Sequence, residues 1–332
     1  MRSQIAASTD IGLVTLEDIR EAQWRIKGVA LRTPLVRYSA TSDDFFLKAE
    51  NLQPIGSFKL RGAYNKIATL SEAERKRGVI AHSSGNHAQG AAYAARALGV
   101  KATIVVPGDI PKVKLEATKA LGANVVLVGN ASADRIAKAE ELAAEHGWVP
   151  VPPYNDLKII AGQGTIGLEI LEDLHDVELV LAPVSGGGLI SGIASAIKLS
   201  NPKVKVIGVE PELAADAQAS LRKGERVNFP AEQVTRTIAD GLRTSPVGEI
   251  PFAHIKEFVD DIVTVTEDEI CRAIRHIVRA TRMVAEPSGA VAPAAFLFHR
   301  DKLPRARKTV AVVSGGNVAP ELFLKIMGEE AQ

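Results

Sequence analysis

Residues 51–64 decide the fold, and they read Asn51-Leu52-Gln53-Pro54-Ile55-Gly56-Ser57-Phe58-Lys59-Leu60-Arg61-Gly62-Ala63-Tyr64. Pro54 and Gly56 indicate a turn. Ser57 is then predicted to cap a helix, because apolar residues recur at helical spacing after it. Lys59 would lie in the first turn of that helix, where the helix dipole lowers the pKa of an amine and makes it a better nucleophile and base.

The composition is that of a globular protein with space for a sizeable core. The chain has 332 residues and a net charge of +1, so no bulk field attracts nucleic acid or an anionic membrane. Cys271 is the only cysteine, which excludes an internal disulfide and suits a reducing compartment. There is neither a secretory signal nor an apolar stretch of about 18 residues. We therefore predict a cytoplasmic protein that binds neither nucleic acid nor membrane.

Short strands and helices alternate from Gly78 onward, which predicts an α/β fold with two open, mostly parallel sheets flanked by helices. Helices are predicted over residues 132–146 and 165–173. Residues 149–154 contain three prolines and are predicted to be a hinge between the sheets. In such folds ligands bind where strands end, so we expect the site between the two sheets.

Three turns of small residues follow apolar strands, at residues 83–90, 185–192 and 314–317. Glycines let backbone N–H groups approach a ligand, and a helix N-terminus favours an anion. The second turn is the best phosphate cradle, because it has three consecutive glycines and a helix directly behind it. No Lys-Ser/Thr pair follows it, so it is not a nucleotide P-loop.

Other motifs exclude several kinds of site. Residues 162–167 match G-x-G-x-x-G, but the segment before them is a poor strand and no acidic residue closes the next one, which argues against dinucleotide binding. The sequence contains no His-Glu-x-x-His, paired-cysteine or Gly-x-Ser-x-Gly motif. A zinc site and a serine hydrolase are therefore not predicted.

A reactive lysine and a phosphate cradle suit a pyridoxal phosphate enzyme. The sequence closely resembles the fold-type II (tryptophan synthase β-like) pyridoxal phosphate enzymes, specifically threonine/serine dehydratases (threonine ammonia-lyases) and serine racemases. The match extends from about residue 15 to 320. The matching motifs are residues 56–63, 83–90, 185–189, 238–241, 286–289 and 314–317.

The resemblance implies a role for each motif. Lys59 would form the Schiff base with pyridoxal 5′-phosphate, Asn86 would bind the ring hydroxyl, and Ser314 would lie at the pyridine nitrogen, where a hydroxyl favours elimination over transamination. The implied cofactor-binding residues are Phe58, Lys59, Asn86, Ser185, Gly186, Gly187, Gly188, Leu189 and Ser314. Ser185 stands where the family usually has a first glycine. The implied binding residues for the substrate carboxylate are Ser83, Ser84, Gly85, Asn86 and His87.

The implied reaction converts L-threonine or L-serine to 2-oxobutanoate or pyruvate and ammonia. Lys59 would move the Cα proton and the β-hydroxyl would leave as water. Racemisation needs a second acid/base, which in serine racemases is the serine matching Ser84. The alternative interpretation, of equal weight, is that Ser84 is only a small residue that fits the turn and has no catalytic role. A dehydratase for another β-hydroxy amino acid, such as 3-hydroxyaspartate, is also open.

Other classes of function fit less well. Related β-replacement synthases typically carry an Asp after the lysine, where this chain has Leu60. A nucleotide-dependent oxidoreductase and a non-catalytic amino-acid-binding protein are the remaining alternatives.

Glu210 and Asp216 follow a predicted strand, six positions apart. Acidic residues there are usually solvated, but two carboxylates with a carbonyl between them also suit a hard cation. The resemblance implies Mg²⁺ or Ca²⁺, with Mn²⁺ as a further candidate, at Glu210, Ala214 and Asp216.

The resemblance also implies an assembly and a domain division. We expect a homodimer or homotetramer, a large cofactor-binding domain of residues 1–52 and 152–332, and a small mobile domain of residues 53–151. Because few residues follow Asn317, no C-terminal regulatory domain is expected.

Overall fold

The computed structural model describes residues 12–328 except Ser84, Asp109, Pro111, Asn130 and Ala131. The predicted role of Ser84 therefore lies outside the described residues. The strands are β1 (Leu35–Arg37), β2 (Asp44–Ala49), β3 (Val79–His82), β4 (Ala102–Pro107), β5 (Asn124–Val128), β6 (Val149–Pro150), β7 (Leu179–Pro183), β8 (Lys205–Pro211), β9 (Asp261–Val265) and β10 (Lys308–Val313).

Fourteen α-helices are described. They are α1 (Leu16–Ile26), α2 (Lys59–Ala68), α3 (Glu72–Arg77), α4 (Asn86–Ala97), α5 (Lys112–Ala120), α6 (Ser132–His146), α7 (Leu157–Asp173), α8 (Gly188–Ser200), α9 (Asp216–Lys223), α10 (Ala231–Val234), α11 (Glu249–Phe258), α12 (Glu267–Thr281), α13 (Pro287–Phe298) and α14 (Pro320–Gly328). None of these helices is long and apolar enough to cross a bilayer.

The larger sheet has the strand order β1-β2-β10-β7-β8-β9, and only the β1–β2 pair is antiparallel. Strand β7 is apolar and buried along its whole length, and β10 is buried from Thr309 to Val313, because helices cover both faces of the sheet. Side chains of α12 and α13 fill the core on one face, and those of α8 and α11 fill it on the other.

The smaller sheet is all parallel, in the order β5-β4-β3-β6. Helices α2 and α4 pack on one face and α6 on the other. The α/β class with two mostly parallel sheets is thus as predicted. The domain boundaries at residues 52/53 and 151/152 stay a prediction.

Helix α7 begins at Leu157, so the predicted start at Thr165 is wrong. The Asp156 carboxylate caps it by accepting hydrogen bonds from the N–H groups of Lys158 (2.8 Å) and Ile159 (3.1 Å). The G-x-G-x-x-G match therefore lies inside a helix, and the exclusion of a dinucleotide fingerprint is correct. The glycines bring α7 close to its neighbours, since a Cβ at Gly162 would lie 2.6 Å from the Gly62 Cα.

The predicted cap of α2 is also wrong. Phe58, not Ser57, precedes the first helical residue, and no side chain caps the helix. Ser57 instead forms a backbone bridge with Gly315, and the Phe58 N–H donates to the Ser314 carbonyl at 3.1 Å. The turn after β10 therefore fixes where α2 begins, a contact that local sequence does not show.

Candidate active site

Lys59 is the first residue of α2 and is partly buried. Its Nζ donates to the Pro153 carbonyl at 2.8 Å and lies 5.1 Å from the centroid of the Phe58 ring. Burial lowers the pKa of this amine from 10.5 to about 8. A far larger fraction of Lys59 is thus neutral near pH 7 to 8 than of an ordinary lysine, as a nucleophile requires.

The glycine turn (residues 185–189) links β7 to α8. Gly187 has φ +91°, a left-handed conformation that favours glycine, and α8 begins at the next residue. The first N–H groups of a helix have no partner within it, so this turn presents donors to an anion. The Ser185 Oγ accepts from the Thr244 N–H at 3.3 Å.

Tyr154 joins the glycine turn to the lysine. A Cβ at Gly188 would lie 2.9 Å from the Tyr154 Cβ, so the tyrosine packs directly on the turn. The preceding residue, Pro153, supplies the carbonyl that accepts the Lys59 amine. Lys59 and the glycine turn therefore contact two consecutive residues, which fits a ligand that combines an aldehyde with a phosphate.

Asn86, the first residue of α4, is held from two sides. Its Nδ2 donates to the Glu286 Oε1 at 2.6 Å, and its Oδ1 accepts from the Asn317 Nδ2 at 2.8 Å. The Asn317 Nδ2 also donates to the Ile55 carbonyl at 2.8 Å. These contacts fix the orientation of the Asn86 amide.

Ser314 follows β10 and is only 4% exposed. Its hydroxyl makes a long hydrogen bond of 3.5 Å to the Ser288 carbonyl. Such a weakly engaged, buried hydroxyl is available to a polar atom of a ligand.

The predicted substrate segment begins α4. The Gly85 N–H donates to the Ser83 Oγ at 3.2 Å, and a ring nitrogen of His87 lies 2.8 Å from the Val151 carbonyl. Burial, with the Lys59 charge, lowers the pKa of His87 to about 3. His87 is therefore neutral near pH 7 and its Nε2–H donates to Val151, so it is not a proton donor to substrate.

Glu210 and Asp216 are fully buried, so the solvated reading of these residues is wrong. The Glu210 carboxylate accepts from the N–H groups of Ala217 (3.2 Å) and Gln218 (2.8 Å). The Asp216 Oδ2 accepts from the Val247 N–H at 2.9 Å, while its buried Oδ1 has no hydrogen-bond partner among the described residues. Burial raises the pKa of Asp216 to about 7, and burial with the Asp216 charge raises the pKa of Glu210 well above its usual range.

The described residues contain no cluster of three or more His, Cys, Asp or Glu side chains placed to hold a metal. The coordination of a cation at Glu210 and Asp216 would therefore include carbonyl or water oxygens. Ala214, also fully buried, lies between the two carboxylates in sequence.

Sequence reasoning missed several site residues. Pro153, Tyr154, Glu286 and Asn317 received no role in the site, although Pro153 and Tyr154 lie in the predicted hinge and Glu286 and Asn317 lie in the matched motifs. The hydrogen bonds of Pro153, Glu286 and Asn317 join positions 94 to 262 residues apart, which no local pattern reveals.

Comparisons with known proteins agree with this geometry. The profile of the family described as "Pyridoxal-phosphate dependent enzyme" matches residues 26–315. The L-threonine ammonia-lyase of Thermotoga maritima is 48% identical over 96% of this chain and 79% of its own length.

Two solved structures share the fold. The processed form of threonine deaminase isoform 2 from Solanum lycopersicum has a TM-score of 0.88 and 39% sequence identity. The alignment covers 94% of this chain and 86% of the deaminase chain. Maize serine racemase has a TM-score of 0.90 and 35% identity, and covers 95% and 97%. Because the family profile and the Thermotoga relative both span most of the chain, this protein belongs to the pyridoxal-phosphate-dependent enzymes, within the threonine ammonia-lyase (threonine dehydratase) group.

Proposed function

We propose that this enzyme converts L-threonine and L-serine to 2-oxobutanoate and pyruvate, with release of ammonia. The observation that carries the proposal is the Lys59 amine, with its lowered pKa, beside an anion cradle at the start of α8. The 48% identity to an L-threonine ammonia-lyase supports the substrate class.

The residues present fit pyridoxal phosphate. Lys59 would hold its aldehyde carbon, and the glycine turn and the α8 N-terminus would hold its phosphate. When bound, the cofactor would supply an electron sink for the electron pair that remains when the Cα–H bond of the substrate breaks, at which stage the Lys59 amine is free of it. The Lys59 Nζ takes the Cα proton, a role that suits an amine with a pKa of about 8.

The remaining site residues would orient the cofactor ring and bind the substrate. The Asn86 amide, fixed by Glu286 and Asn317, would hold the ring hydroxyl. Ser314 would face the pyridine nitrogen with a neutral hydroxyl. In the segment from Ser83 to His87, the Ser83 hydroxyl and the Asn86 and His87 N–H groups at the N-terminus of α4 would bind the substrate carboxylate.

A screen of β-hydroxy amino acids for ammonia and 2-oxo acid release tests this function. We expect L-threonine and L-serine to react, 3-hydroxyaspartate to react more slowly, and Lys59→Ala to be inactive. Brisk D-serine formation without 2-oxo acid would contradict the proposal.

Serine racemisation is the second candidate, supported by Ser84 and by the likeness to maize serine racemase. If Ser84 is the second acid/base, Ser84→Ala abolishes D-serine formation and spares the elimination of water from L-serine. Equal loss of both activities would contradict this role.

We also propose a divalent cation, Mg²⁺ or Ca²⁺, at Glu210, Asp216 and the Ala214 carbonyl. The support is the buried Asp216 Oδ1 without a partner among the described residues and the nearby buried Glu210, an oxygen set that suits hard cations. Calorimetric titration of chelator-treated protein should show binding that Asp216→Asn removes. No heat of binding in the unsubstituted protein would contradict the cation.

The mobility of the small domain, a homodimeric or homotetrameric assembly and a cytoplasmic location stay predictions. Analytical ultracentrifugation of the purified protein checks the assembly, and a monomer at micromolar concentration would contradict it.

A further inference from the structure

Val247 and Gly248, called the strap here, connect the carboxylate pair to the glycine turn through consecutive amides. The Val247 N–H donates to the Asp216 Oδ2 at 2.9 Å. The Gly248 N–H donates to the Gly186 carbonyl at 3.1 Å. Only two consecutive residues therefore separate Asp216 from the glycine turn, so a shift of Asp216 would also shift the turn.

Packing makes this connection stiff. Val247 is fully buried, and its Cγ2 lies 3.0 Å from the position that a Cβ at Gly187 would take. A Cβ at Gly248 would lie 2.9 Å from the Tyr154 Cδ2. Because close-packed side chains leave no slack, the strap and the turn move together.

The contacts continue to the reactive amine. Tyr154 packs on both the strap and Gly188, and the neighbouring Pro153 carbonyl accepts the Lys59 Nζ. The chain of contacts thus runs from Asp216 through the strap to the cradle and to Tyr154, and it reaches Lys59 only through the backbone carbonyl of the residue before Tyr154.

The two carboxylate oxygens of Asp216 have different surroundings. Oδ2 holds the strap, whereas Oδ1 is buried without a hydrogen-bond partner among the described residues. A cation bound by Oδ1 and Glu210 would offset the repulsion between the two carboxylates and fix Asp216 in place. The strap would then hold the cradle in one conformation.

We propose that the strap couples the two sites, so that a divalent cation at Glu210 and Asp216 tightens the binding of the cofactor phosphate. This inference rests on the cation proposed above. Linkage requires the reverse as well, so the cofactor must tighten cation binding by the same factor.

The first experiment titrates cofactor-free protein with pyridoxal phosphate and, separately, with pyridoxal, in chelator and in saturating Ca²⁺. We expect Ca²⁺ to tighten the Kd for pyridoxal phosphate by about fivefold or more and to leave the Kd for pyridoxal nearly unchanged, since coupling free energies are typically 1–3 kcal/mol. An equal effect on both ligands would overturn the route through the phosphate turn.

The second experiment breaks the strap without touching the carboxylates. Val247→Ala removes the contact with Gly187, and Gly248→Ala forces a Cβ against Tyr154. Calorimetry should show that both variants still bind Ca²⁺, while the effect of Ca²⁺ on the Kd for pyridoxal phosphate falls toward onefold. Val204→Ala is the matched control, because Val204 is also buried but precedes β8 at the opposite end of the sheet.

The outcomes separate the two proposals. If the unsubstituted protein binds no Ca²⁺, the cation site fails and the coupling with it. If it binds Ca²⁺ but the Kd for pyridoxal phosphate does not change, the coupling alone fails. Full coupling in both strap variants would also overturn it.

Discussion

Two groups of buried ionisable side chains lie within this chain and differ in how their charges are balanced. The ion cluster consists of Lys48, Glu50, Arg61 and Glu169, and the carboxylate pair consists of Glu210 and Asp216. Every one of these residues is at most 5% exposed. The cluster has two cations and two carboxylates, whereas the pair has two carboxyl groups, both with a raised pKa, and no cation among the described side chains that bond to it.

Every charged group of the cluster is paired. The Arg61 guanidinium binds both oxygens of Glu50 (2.8 Å each) and both oxygens of Glu169 (2.7 and 2.8 Å). The Lys48 Nζ donates to the Glu169 Oε2 at 2.6 Å. This cluster ties the start of α2, two residues from Lys59, to β2 and α7.

The carboxylate pair lacks such compensation. Three of its four carboxylate oxygens accept hydrogen bonds from backbone N–H groups. The fourth, Asp216 Oδ1, has no hydrogen-bond partner in the described part of the chain. Burial of a charge is costly unless it is paired. The contrast is between a cluster whose charges are balanced within the chain and a pair whose balance would be supplied by the proposed cation.

The largest expected effect is that of Arg61→Met. It leaves two carboxylates buried without their main counter-charge, so the free energy of unfolding should fall by about 3–5 kcal/mol. Urea denaturation measures the change, and Arg20→Met, at an exposed position, is the control with a change of about 0.5 kcal/mol or less. If Arg61→Met were as stable as the parent, the cluster would not be structural.

Glu169→Gln should have the next largest effect. The substitution keeps the size of the side chain but removes its charge from Arg61 and Lys48, leaving an uncompensated positive charge. We expect a loss of roughly 2 kcal/mol in the same denaturation experiment. A gain in stability would contradict the pairing argument.

Asp216→Asn should have a smaller effect of opposite sign. In chelator the substitution removes the repulsion with Glu210, and the side-chain carbonyl still accepts from Val247, so we expect unchanged stability or a gain of about 1 kcal/mol. Thermal melts with and without Mg²⁺ measure this, and Mg²⁺ should raise the Tm of the parent only. A large loss in chelator would show that the pair is structural after all.

Lys59 and Lys48 differ in the same way as the two groups. Lys48 forms a salt bridge with Glu169, whereas Lys59 forms no salt bridge with the described residues and donates to a backbone carbonyl. In the proposed role its neutral form would attack the cofactor aldehyde, so the rate of pyridoxal phosphate incorporation into cofactor-free protein should rise with pH and level off above about pH 8. Stopped-flow absorbance measures the rate. A rate that still climbs at about pH 10 would indicate an ordinary lysine pKa.

The sequence predicts much of the fold because apolar strands and short helices alternate, and helix α6 has the predicted bounds of residues 132–146. It predicts the glycine turn that precedes α8 because the glycines are consecutive. It fails where the cause is tertiary. The start of α2 depends on residues 314 and 315, and the glycines of α7 serve helix packing rather than a ligand.

The chemistry of the site shows the same division. Lys59 and the glycine turn are visible as local motifs, but the partners that tune them are distant in sequence. Arg61 meets Glu169 across 108 positions, and Asp216 meets Val247 across 31. The sequence places Arg61 inside a motif, and only the structure shows what it holds.

Borohydride reduction followed by peptide mapping tests the central claim most directly. Protein supplemented with pyridoxal phosphate should carry one pyridoxyl group, on Lys59, with loss of the visible absorption band. Label on another lysine, or no label at position 59, would contradict the assignment of Lys59 as the residue that carries the cofactor.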